Sequence, residues 1–432
     1  MKWSGLYTLI ALALGIAAGI AINASNSPAL GVASEVAQGV GSLWLNALRM
    51  TVAPLIVSLL VTGIASAVDA AATGRLAARA IWVFVALVVV ATVYVLIVAP
   101  VALALFPVAP DAAQAVLAGV AGQPDPGDTP LNLAQWIASL APSNVIAAAA
   151  QDATLPLVLF SVLLGFAATR LGEARRKTIL SVFDAFGEAM IVIVRWVLLF
   201  APIGVFGLSL GVGDVAGAAS FKVLLHYIVM VAAIIAGVTP IAVVAAIVWG
   251  RARPGRFLLA AAPVQALAVS TQSSLACLPA MLQAARERLG VSERTADLAL
   301  PLAVTLFRMT STAGNIAVVL FCAHISGVAL GPFQLLSGGL VAFAMSVGAV
   351  GLPGQTSFFL SIVPIAVAMG VPTELLGILI SVEVIPDIFR TVGNVTADMA
   401  ASVIVDRRKD AAGEAEAGGA EAISSPGASA AS

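Results

Sequence analysis

The chain alternates long apolar runs with short polar stretches, and most of the runs are as long as helices that cross a membrane. A helix needs about 20 apolar residues to span the hydrocarbon core of a bilayer. Runs of this kind lie at residues 6–22, 44–67, 81–106, 155–171, 182–210, 223–248 and 298–323, and a last one ends at residue 405. The pattern predicts an all-α membrane protein with about eight transmembrane helices.

Two further apolar segments are interrupted at their centres. Segment 257–285 is broken at residues 270–274 (Ser-Thr-Gln-Ser-Ser), and segment 335–369 is broken at residues 346–354 (Ser-Val-Gly-Ala-Val-Gly-Leu-Pro-Gly). Non-helical backbone at membrane depth is tolerated only where it is buried in protein or lines a cavity. Close helix packing through small residues would explain the first break alone, and a flexible turn the second. The two breaks together indicate a pair of re-entrant hairpins.

Basic residues mark alternate loops and predict the orientation. Arginine and lysine cluster at residues 75–79, 170–177 and 251–256, and acidic residues mark the loops between them. Because basic loops stay in the cytoplasm, both termini are predicted to be cytoplasmic, at a cell inner membrane. Segment 257–285 has basic residues at both ends and segment 335–369 at neither end. The two hairpins are therefore expected to enter from opposite sides, as in secondary transporters with inverted repeats.

Composition supports the membrane assignment and excludes other classes. The 432 residues are 61% hydrophobic and 10% charged, unlike any soluble globular domain. A net charge of −1 argues against a nucleic-acid partner. Cys277 and Cys322 lie in apolar surroundings and are interpreted as buried thiols. Since the chain has only His226 and His324 as histidines, no transition-metal centre is predicted.

The last apolar run carries a stripe of polar side chains. At 100° per residue, five of them fall within an arc of about 80° and along roughly 22 Å of one helix face: Glu383, Asp387, Arg390, Asn394 and Asp398. A charged group at the centre of a bilayer costs about 3 kcal/mol even on a lenient scale. This face must therefore contact protein, water or bound solute.

A structural ion pair between Asp387 and Arg390 would account for part of this stripe without a ligand. It would leave the carboxylates of Glu383 and Asp398 without a cation on the same helix. A transported cation, a proton or an ammonium group would balance their charge.

Several motifs, in chain order, carry a resemblance to a known family. They are residues 46–66, 155–165 and 201–206, the serine-rich tip with Leu278-Pro279, the tip at 350–354, and Asp387-x-x-Arg-Thr-x-x-Asn-Val-x-x-Asp398. Up to about Lys409 the chain resembles the dicarboxylate/amino acid:cation symporters, the glutamate transporter family. The resemblance implies an elevator-type transporter that assembles as a homotrimer.

The resemblance also implies a division of the chain. Residues 1–254 would be mainly scaffold and trimerisation helices with part of the transport domain, and residues 255–409 would form the core of a mobile transport domain. Residues 410–432 are mainly Ala, Gly, Glu and Ser, and this composition predicts a disordered cytoplasmic tail.

Site residues follow from the resemblance position by position. Arg390 would bind the side-chain carboxylate of the substrate and Asp387 its amino group, which agrees with the bidentate fit of guanidinium to carboxylate and the attraction of carboxylate for ammonium. Thr391 and Asn394 would bind its α-carboxylate. The hairpin tips would complete the substrate site through Ser273, Ser274, Gly351, Pro353 and Gly354. Sodium would be ligated by Asp398, Asn394, Met309 and Ser346.

Two departures from the family pattern concern the coupling ion. Where the family usually has Asn-Met-Asp-Gly-Thr in its seventh helix, this chain has Arg-Met-Thr-Ser-Thr at 308–312. Met309 is kept, but both cation-ligating residues are replaced. The third helix, 81–106, also lacks an obvious Thr-Ser pair of the kind that completes a further sodium site. Fewer sodium ions than in the family are therefore expected.

Arg308 stands where the family has the asparagine. We expect its guanidinium to replace one cation electrostatically by pairing with Asp398 or Glu383, which makes Arg308 and Glu383 candidate coupling residues. The alternative is an arginine that reaches the membrane surface along the helix, but Arg308 lies well inside the predicted span.

Together these features predict a secondary symporter that moves an acidic amino acid with Na⁺ or H⁺, in contact with membrane lipid and without a cofactor other than bound Na⁺. The alternatives are a C4-dicarboxylate symporter and a neutral amino acid symporter of the same family. Asp387 favours an amino acid, because it would repel a substrate that lacks an amine. A membrane hydrolase would need a base near Ser273, and a pore would need polar residues along more than one helix.

Overall fold

The computed structural model describes residues 4–25, 28–119, 133–217, 219–348 and 354–424, and every regular element in these ranges is helical. The helices, in chain order, are α1 (Ser4–Ser25), α2 (Pro28–Arg49), α3 (Val52–Ala72), α4 (Arg75–Leu105), α5 (Pro110–Ala118), α6 (Leu133–Ser139), α7 (Val145–Ala150), α8 (Thr154–Thr169), α9 (Glu173–Leu199), α10 (Ala201–Ala216), α11 (Ala219–Val248), α12 (Pro254–Thr271), α13 (Ser274–Gln283), α14 (Glu293–Leu306), α15 (Met309–Ile325), α16 (Pro332–Gly348), α17 (Gly354–Ala368), α18 (Leu376–Leu379) and α19 (Val384–Ser424). A π-helical turn, Ala284–Leu289, follows α13.

The described helices account for a multi-pass membrane protein. Six spans are long and apolar enough to cross a bilayer: Leu6–Ser25, Leu30–Ala72, Arg75–Leu105, Ala219–Val248, Glu293–Ile325 and Val384–Asp406. The pair α9 and α10, bent by 58°, would form a seventh. Helix α8, with 16 residues, is short for a span and corresponds to the remaining predicted one. The prediction of an all-α membrane fold is confirmed.

The break predicted in segment 257–285 is present. Helix α12 ends at Thr271, and Gln272 adopts the left-handed conformation with φ of 50°. Ser273 then caps α13, its hydroxyl accepting a hydrogen bond from the Ala276 N–H at 3.3 Å. The two helices pack against each other as a hairpin, so a short polar run is enough to turn the chain inside an apolar segment.

The second interrupted segment forms helices α16 and α17, which also pack against each other. Its tip lies outside the described residues, and with it the predicted site residues Gly351 and Pro353. Gly354 begins α17.

One predicted span is broken where the sequence pattern shows no interruption. The run 298–323 becomes α14 and α15, with Phe307 and Arg308 in non-helical conformations between them. Phe307 is buried and stacks on Phe84 of α4, with ring centroids 4.9 Å apart. This contact fixes the break inside the protein, and the break leaves the first N–H groups of α15 free to bind side chains from α19.

Helix α19 is central to the second half of the chain, where it packs against α11, α12, α14 and α15. It also continues to Ser424, into the stretch that the composition predicted to be disordered. Alanine and glutamate, which dominate residues 411–422, are strong helix formers, and this local propensity explains the extension.

Gly393 is the residue that lets α19 approach two of these neighbours closely. A methyl group added there would lie 2.7 Å from Thr310 Cγ2 in α15 and 3.0 Å from Thr239 Oγ1 in α11. We therefore expect Gly393→Ala to destabilise the protein by about 1–3 kcal/mol, the usual cost of overpacking, measured as a lower melting temperature in detergent. Gly31→Ala in α2, where an added methyl meets no atom of the described residues within 4 Å, is the control. Equal melting temperatures for the two variants would contradict this packing.

Candidate functional site

A cavity of about 50 Å³ lies where the two hairpins meet the broken helix and the start of α19. It is lined by Gln272, Ser273, Ser274 and Leu275 from the first hairpin, Ser357 and Phe358 from the second, Arg308 and Ser311 at the break between α14 and α15, and Glu383, Asp387, Arg390, Thr391 and Asn394. Most of these groups are polar or charged. The helix breaks and the polar stripe, which lie far apart in sequence, therefore line one site.

Eight of the predicted site residues line this cavity together. They are Ser273, Ser274, Arg308, Glu383, Asp387, Arg390, Thr391 and Asn394. Three predicted sodium ligands are not among the lining residues: Asp398, Met309 and Ser346. Met309 and Asp398 are fully buried, and the Ser346 hydroxyl donates to the Phe343 carbonyl oxygen at 2.7 Å.

Arg390 forms a buried ion pair with Glu383, not with Asp387. Its Nη2 donates to Glu383 Oε1, and the two side chains are 6% and 4% exposed. Glu383 immediately precedes α19, and its carbonyl oxygen accepts from the Asp387 N–H at 2.9 Å, so that the helix starts there. The pairing of Asp387 with Arg390 weighed from the sequence is therefore not formed, and Asp387 is left facing the cavity.

Two residues that sequence reasoning missed complete this cluster. The Tyr227 hydroxyl in α11 donates to Glu383 Oε2 at 2.6 Å, and Arg390 Nη1 donates to Asn315 Oδ1 in α15. Both are polar residues within membrane spans, a position that is costly unless the polar group is satisfied. Their place inside a membrane span was the signal in the sequence that could have identified both residues.

Asn394 joins α19 to the start of α15. Its Oδ1 accepts from the N–H groups of Thr310 at 3.0 Å and Ser311 at 3.4 Å, and its Nδ2 donates to Ser311 Oγ at 2.8 Å. Thr391, one turn from Asp387, donates its hydroxyl to the Asp387 carbonyl oxygen at 2.9 Å. Its oxygen keeps the capacity to accept or to reorient towards a ligand.

Arg308 and Asp398 lie near each other without a direct ion pair. The carboxylates of Asp398 and Asp387 interact electrostatically with the Arg308 guanidinium, but no carboxylate of the described residues comes within 4 Å of it. Asp398 is 1% exposed, and neither of its carboxylate oxygens has a hydrogen-bond partner among the described residues. Glu383, the other predicted partner of Arg308, is already bound by Arg390 and Tyr227.

The site has the chemistry to bind a small zwitterion or anion. A guanidinium and a carboxylate, Arg390 and Asp387, face one space between serine-rich hairpin tips, and the N-terminus of α15 lies beside them. Helix N-termini favour negative charge because their first N–H groups are unpaired. The charged groups at and next to the site nevertheless sum to one more negative than positive group, because Asp387, Glu383 and Asp398 face only Arg390 and Arg308.

The chain matches the sequence model of the sodium:dicarboxylate symporter family over residues 5–408. It is 26% identical over 440 residues to the proton/glutamate-aspartate symporter of Escherichia coli (strain K12), and the alignment covers 94% of this chain and 95% of that protein. It is 26% identical over 381 residues to the proton/sodium-glutamate symport protein of Bacillus subtilis (strain 168), with coverage of 86% and 85%. It is 28% identical over 434 residues to the neutral amino acid transporter B(0) of Homo sapiens, with coverage of 91% and 78%. The match thus includes almost all the described residues.

Proposed function

The chain belongs to the sodium:dicarboxylate symporter family, and on that premise we propose that it carries an acidic amino acid, glutamate or aspartate, across the cell inner membrane together with Na⁺ or H⁺. The family is one of symporters, not of enzymes. Two relatives that match this chain over most of their length are named as glutamate or glutamate-aspartate symporters.

The observation that carries this proposal is the presence of Arg390 and Asp387 in one cavity. Arg390 would bind the side-chain carboxylate, since a guanidinium and a carboxylate form two parallel charge-assisted hydrogen bonds. Asp387, which is not engaged by Arg390, would bind the ammonium group. Thr391 and the pair of Asn394 with Ser311 would hold the α-carboxylate beside the N-terminus of α15.

The hairpin tips would close the site. Ser273 and Ser274 lie at the turn of the first hairpin and line the cavity, and Gly354 begins the second helix of the other hairpin. We extend the proposal to Gly351 and Pro353 on the ground of their motif position alone, because they lie outside the described residues.

For the coupling cation we propose Asp398 as the main protein ligand. Its two buried carboxylate oxygens lack partners among the described residues, and a buried charge of this kind needs a counter-charge. Asn394, Met309 and Ser346 remain proposed ligands from motif position, although the Asn394 amide and the Ser346 hydroxyl already have hydrogen-bond partners.

We also propose the assembly and orientation that the family resemblance and the loop charges imply. The protein would be a homotrimer with cytoplasmic termini, residues 1–254 would be mainly scaffold, and residues 255–409 would form the core of the moving transport domain. Cross-linking in membranes would test the trimer, and accessibility of cysteines introduced near each end would test the orientation.

Competition for uptake tests the substrate class. In proteoliposomes that take up labelled aspartate, we expect unlabelled glutamate to compete at least about tenfold more strongly than succinate, which corresponds to about 1.4 kcal/mol. The reason is that Asp387 attracts an ammonium group and repels a substrate without one. Asp387→Asn should reduce this preference. If succinate or fumarate competes better than glutamate, the amino acid assignment is wrong and the C4-dicarboxylate alternative holds.

A further inference from the structure

Arg390, the proposed anchor for the substrate's side-chain carboxylate, is already engaged with a carboxylate of the protein. Its Nη2 donates to Glu383 and its Nη1 to Asn315. Only Nε has no partner among the described residues. A substrate carboxylate that docks on this guanidinium must therefore share it with Glu383 or displace it.

Sharing is unfavourable while both carboxylates are ionised. Glu383 and Arg390 are almost completely buried, and a site that holds two carboxylates together binds a proton on one of them, because like charges cannot both remain ionised at short distance. The substrate carboxylate gains two charge-assisted hydrogen bonds from Arg390. Glu383 can instead be satisfied by a neutral hydrogen bond with the Tyr227 hydroxyl.

We propose that Glu383 is the proton-binding residue of the transport cycle, and that a proton on Glu383 frees Arg390 for the substrate carboxylate. One proton is then carried with each acidic amino acid. The inference rests on the proposed function, since it assumes that Arg390 binds a substrate carboxylate.

The surroundings of Glu383 fit this role. The groups that act on it are Asp387 and Arg390 from its own segment and Tyr227 from α11. Asn315 of α15 accepts from Arg390 and not from Glu383, and the Cys322 thiol of α15 lies close to Tyr227. The Tyr227 hydroxyl donates to the ionised carboxylate at 2.6 Å, and it can accept from the carboxylic acid, because a phenol is both donor and acceptor. Glu383 also lines the cavity, so the proton and the substrate reach the same space.

The proton keeps the charge of the buried site constant. Without substrate, the carboxylates of Glu383, Asp387 and Asp398 outnumber the guanidiniums of Arg308 and Arg390 by one. An acidic amino acid adds one more negative charge, and a proton on Glu383 cancels it. By linkage, the proton and the substrate carboxylate must each strengthen the binding of the other.

Proteoliposomes with equal sodium on both sides test the proposal. With one proton per acidic amino acid, a gradient of one pH unit sustains about tenfold accumulation of aspartate. In a parallel experiment without sodium, no second cation can move on Asp398, so the anion and the proton move together and the accumulation should not respond to a potassium diffusion potential. Glu383→Gln is permanently neutral, so we expect accumulation driven by the pH gradient to be lost to a much greater degree than aspartate exchange between equal concentrations, which is measured beside it.

Glu374→Gln is the matched control. Glu374 pairs with Arg49 at 2.8 Å and does not line the cavity, so the response to the pH gradient should remain that of the wild type. Accumulation that persists in Glu383→Gln, or that ignores the pH gradient in the wild type, would overturn the assignment of the proton to Glu383. Wild-type protein that takes up no acidic amino acid under any gradient would instead contradict the proposed function.

Tyr227→Phe is a second test that does not depend on the folding of the glutamine variant. It removes the donor that favours ionised Glu383, so the pH dependence of aspartate exchange should move towards higher pH by about one pH unit, as expected for loss of a hydrogen bond to a charged group. An unchanged pH profile in Tyr227→Phe would contradict the proposal even if Glu383→Gln were inactive.

Discussion

Replacing Arg390 with alanine is expected to abolish uptake of glutamate and aspartate. The side chain is the cation of the polar stripe on α19, and it lines the cavity beside Asp387. Without it, a substrate side-chain carboxylate would enter a buried site that is lined by Glu383 and Asp387. Removing one partner of a buried, hydrogen-bonded charge pair weakens binding by several kcal/mol. A loss of this size is enough to lower uptake at least a hundredfold. Initial rates in proteoliposomes measure the effect.

The truncation also leaves Glu383 buried without its cation, and breaking a buried pair costs about 3–5 kcal/mol of stability. The double variant Arg390→Ala/Glu383→Gln separates this effect from binding, because it removes the orphaned charge as well. We expect both variants to lose acidic substrates and the double variant to fold at least as well as the single one. Weak uptake of a neutral amino acid by the double variant would fit the neutral amino acid transporters among the relatives. Undiminished glutamate or aspartate uptake in Arg390→Ala would show that Arg390 is not the anchor.

The parts of the fold that the sequence predicted are those that depend on local patterns. The polar run at residues 270–274, the basic residues on both flanks of its segment and the second break together predicted a hairpin here, and the structure turns at Gln272 and Ser273. The stripe on α19 was visible because charges at membrane depth must face a protein or solute. Asp387, Arg390, Thr391 and Asn394 do line one cavity.

The parts that were missed depend on contacts between helices. Sequence spacing suggested Asp387 as a partner for Arg390, but the guanidinium reaches back two helical turns to Glu383, where Tyr227 from α11 completes the carboxylate's hydrogen bonds. No pattern in α11 or α15 alone indicates which neighbour Tyr227 or Asn315 meets. Likewise the break at Phe307 is fixed by packing on Phe84, and periodicity within residues 298–323 does not reveal it.

Arg308 gains its importance from that break. It stands at the start of α15 and lines the cavity, instead of lying on the surface of a continuous helix. Its guanidinium interacts with Asp398 and Asp387 at longer range than an ion pair, and its buried Nε has no partner among the described residues. Opposite charges beyond ion-pair distance still attract by up to about 4 kcal/mol at an effective dielectric constant of about 20. A tethered cation at this position can therefore offset part of the charge that a sodium ion would otherwise balance.

We accordingly expect the wild-type protein to depend only weakly on sodium and Arg308→Asn to depend on it strongly. Asparagine removes the tethered charge and supplies an oxygen of the type that ligates Na⁺. Without sodium, uptake of aspartate should therefore fall at least about tenfold, which corresponds to the loss of an interaction of about 1.4 kcal/mol. Uptake should recover in part when sodium is added. Arg308→Lys, which keeps the charge, should retain the weak dependence. The measurement is the initial uptake rate against sodium concentration at fixed pH for the three proteins. Identical sodium curves for wild type and Arg308→Asn would leave Arg308 with a structural role and would assign cation coupling to Asp398 and Glu383 without it.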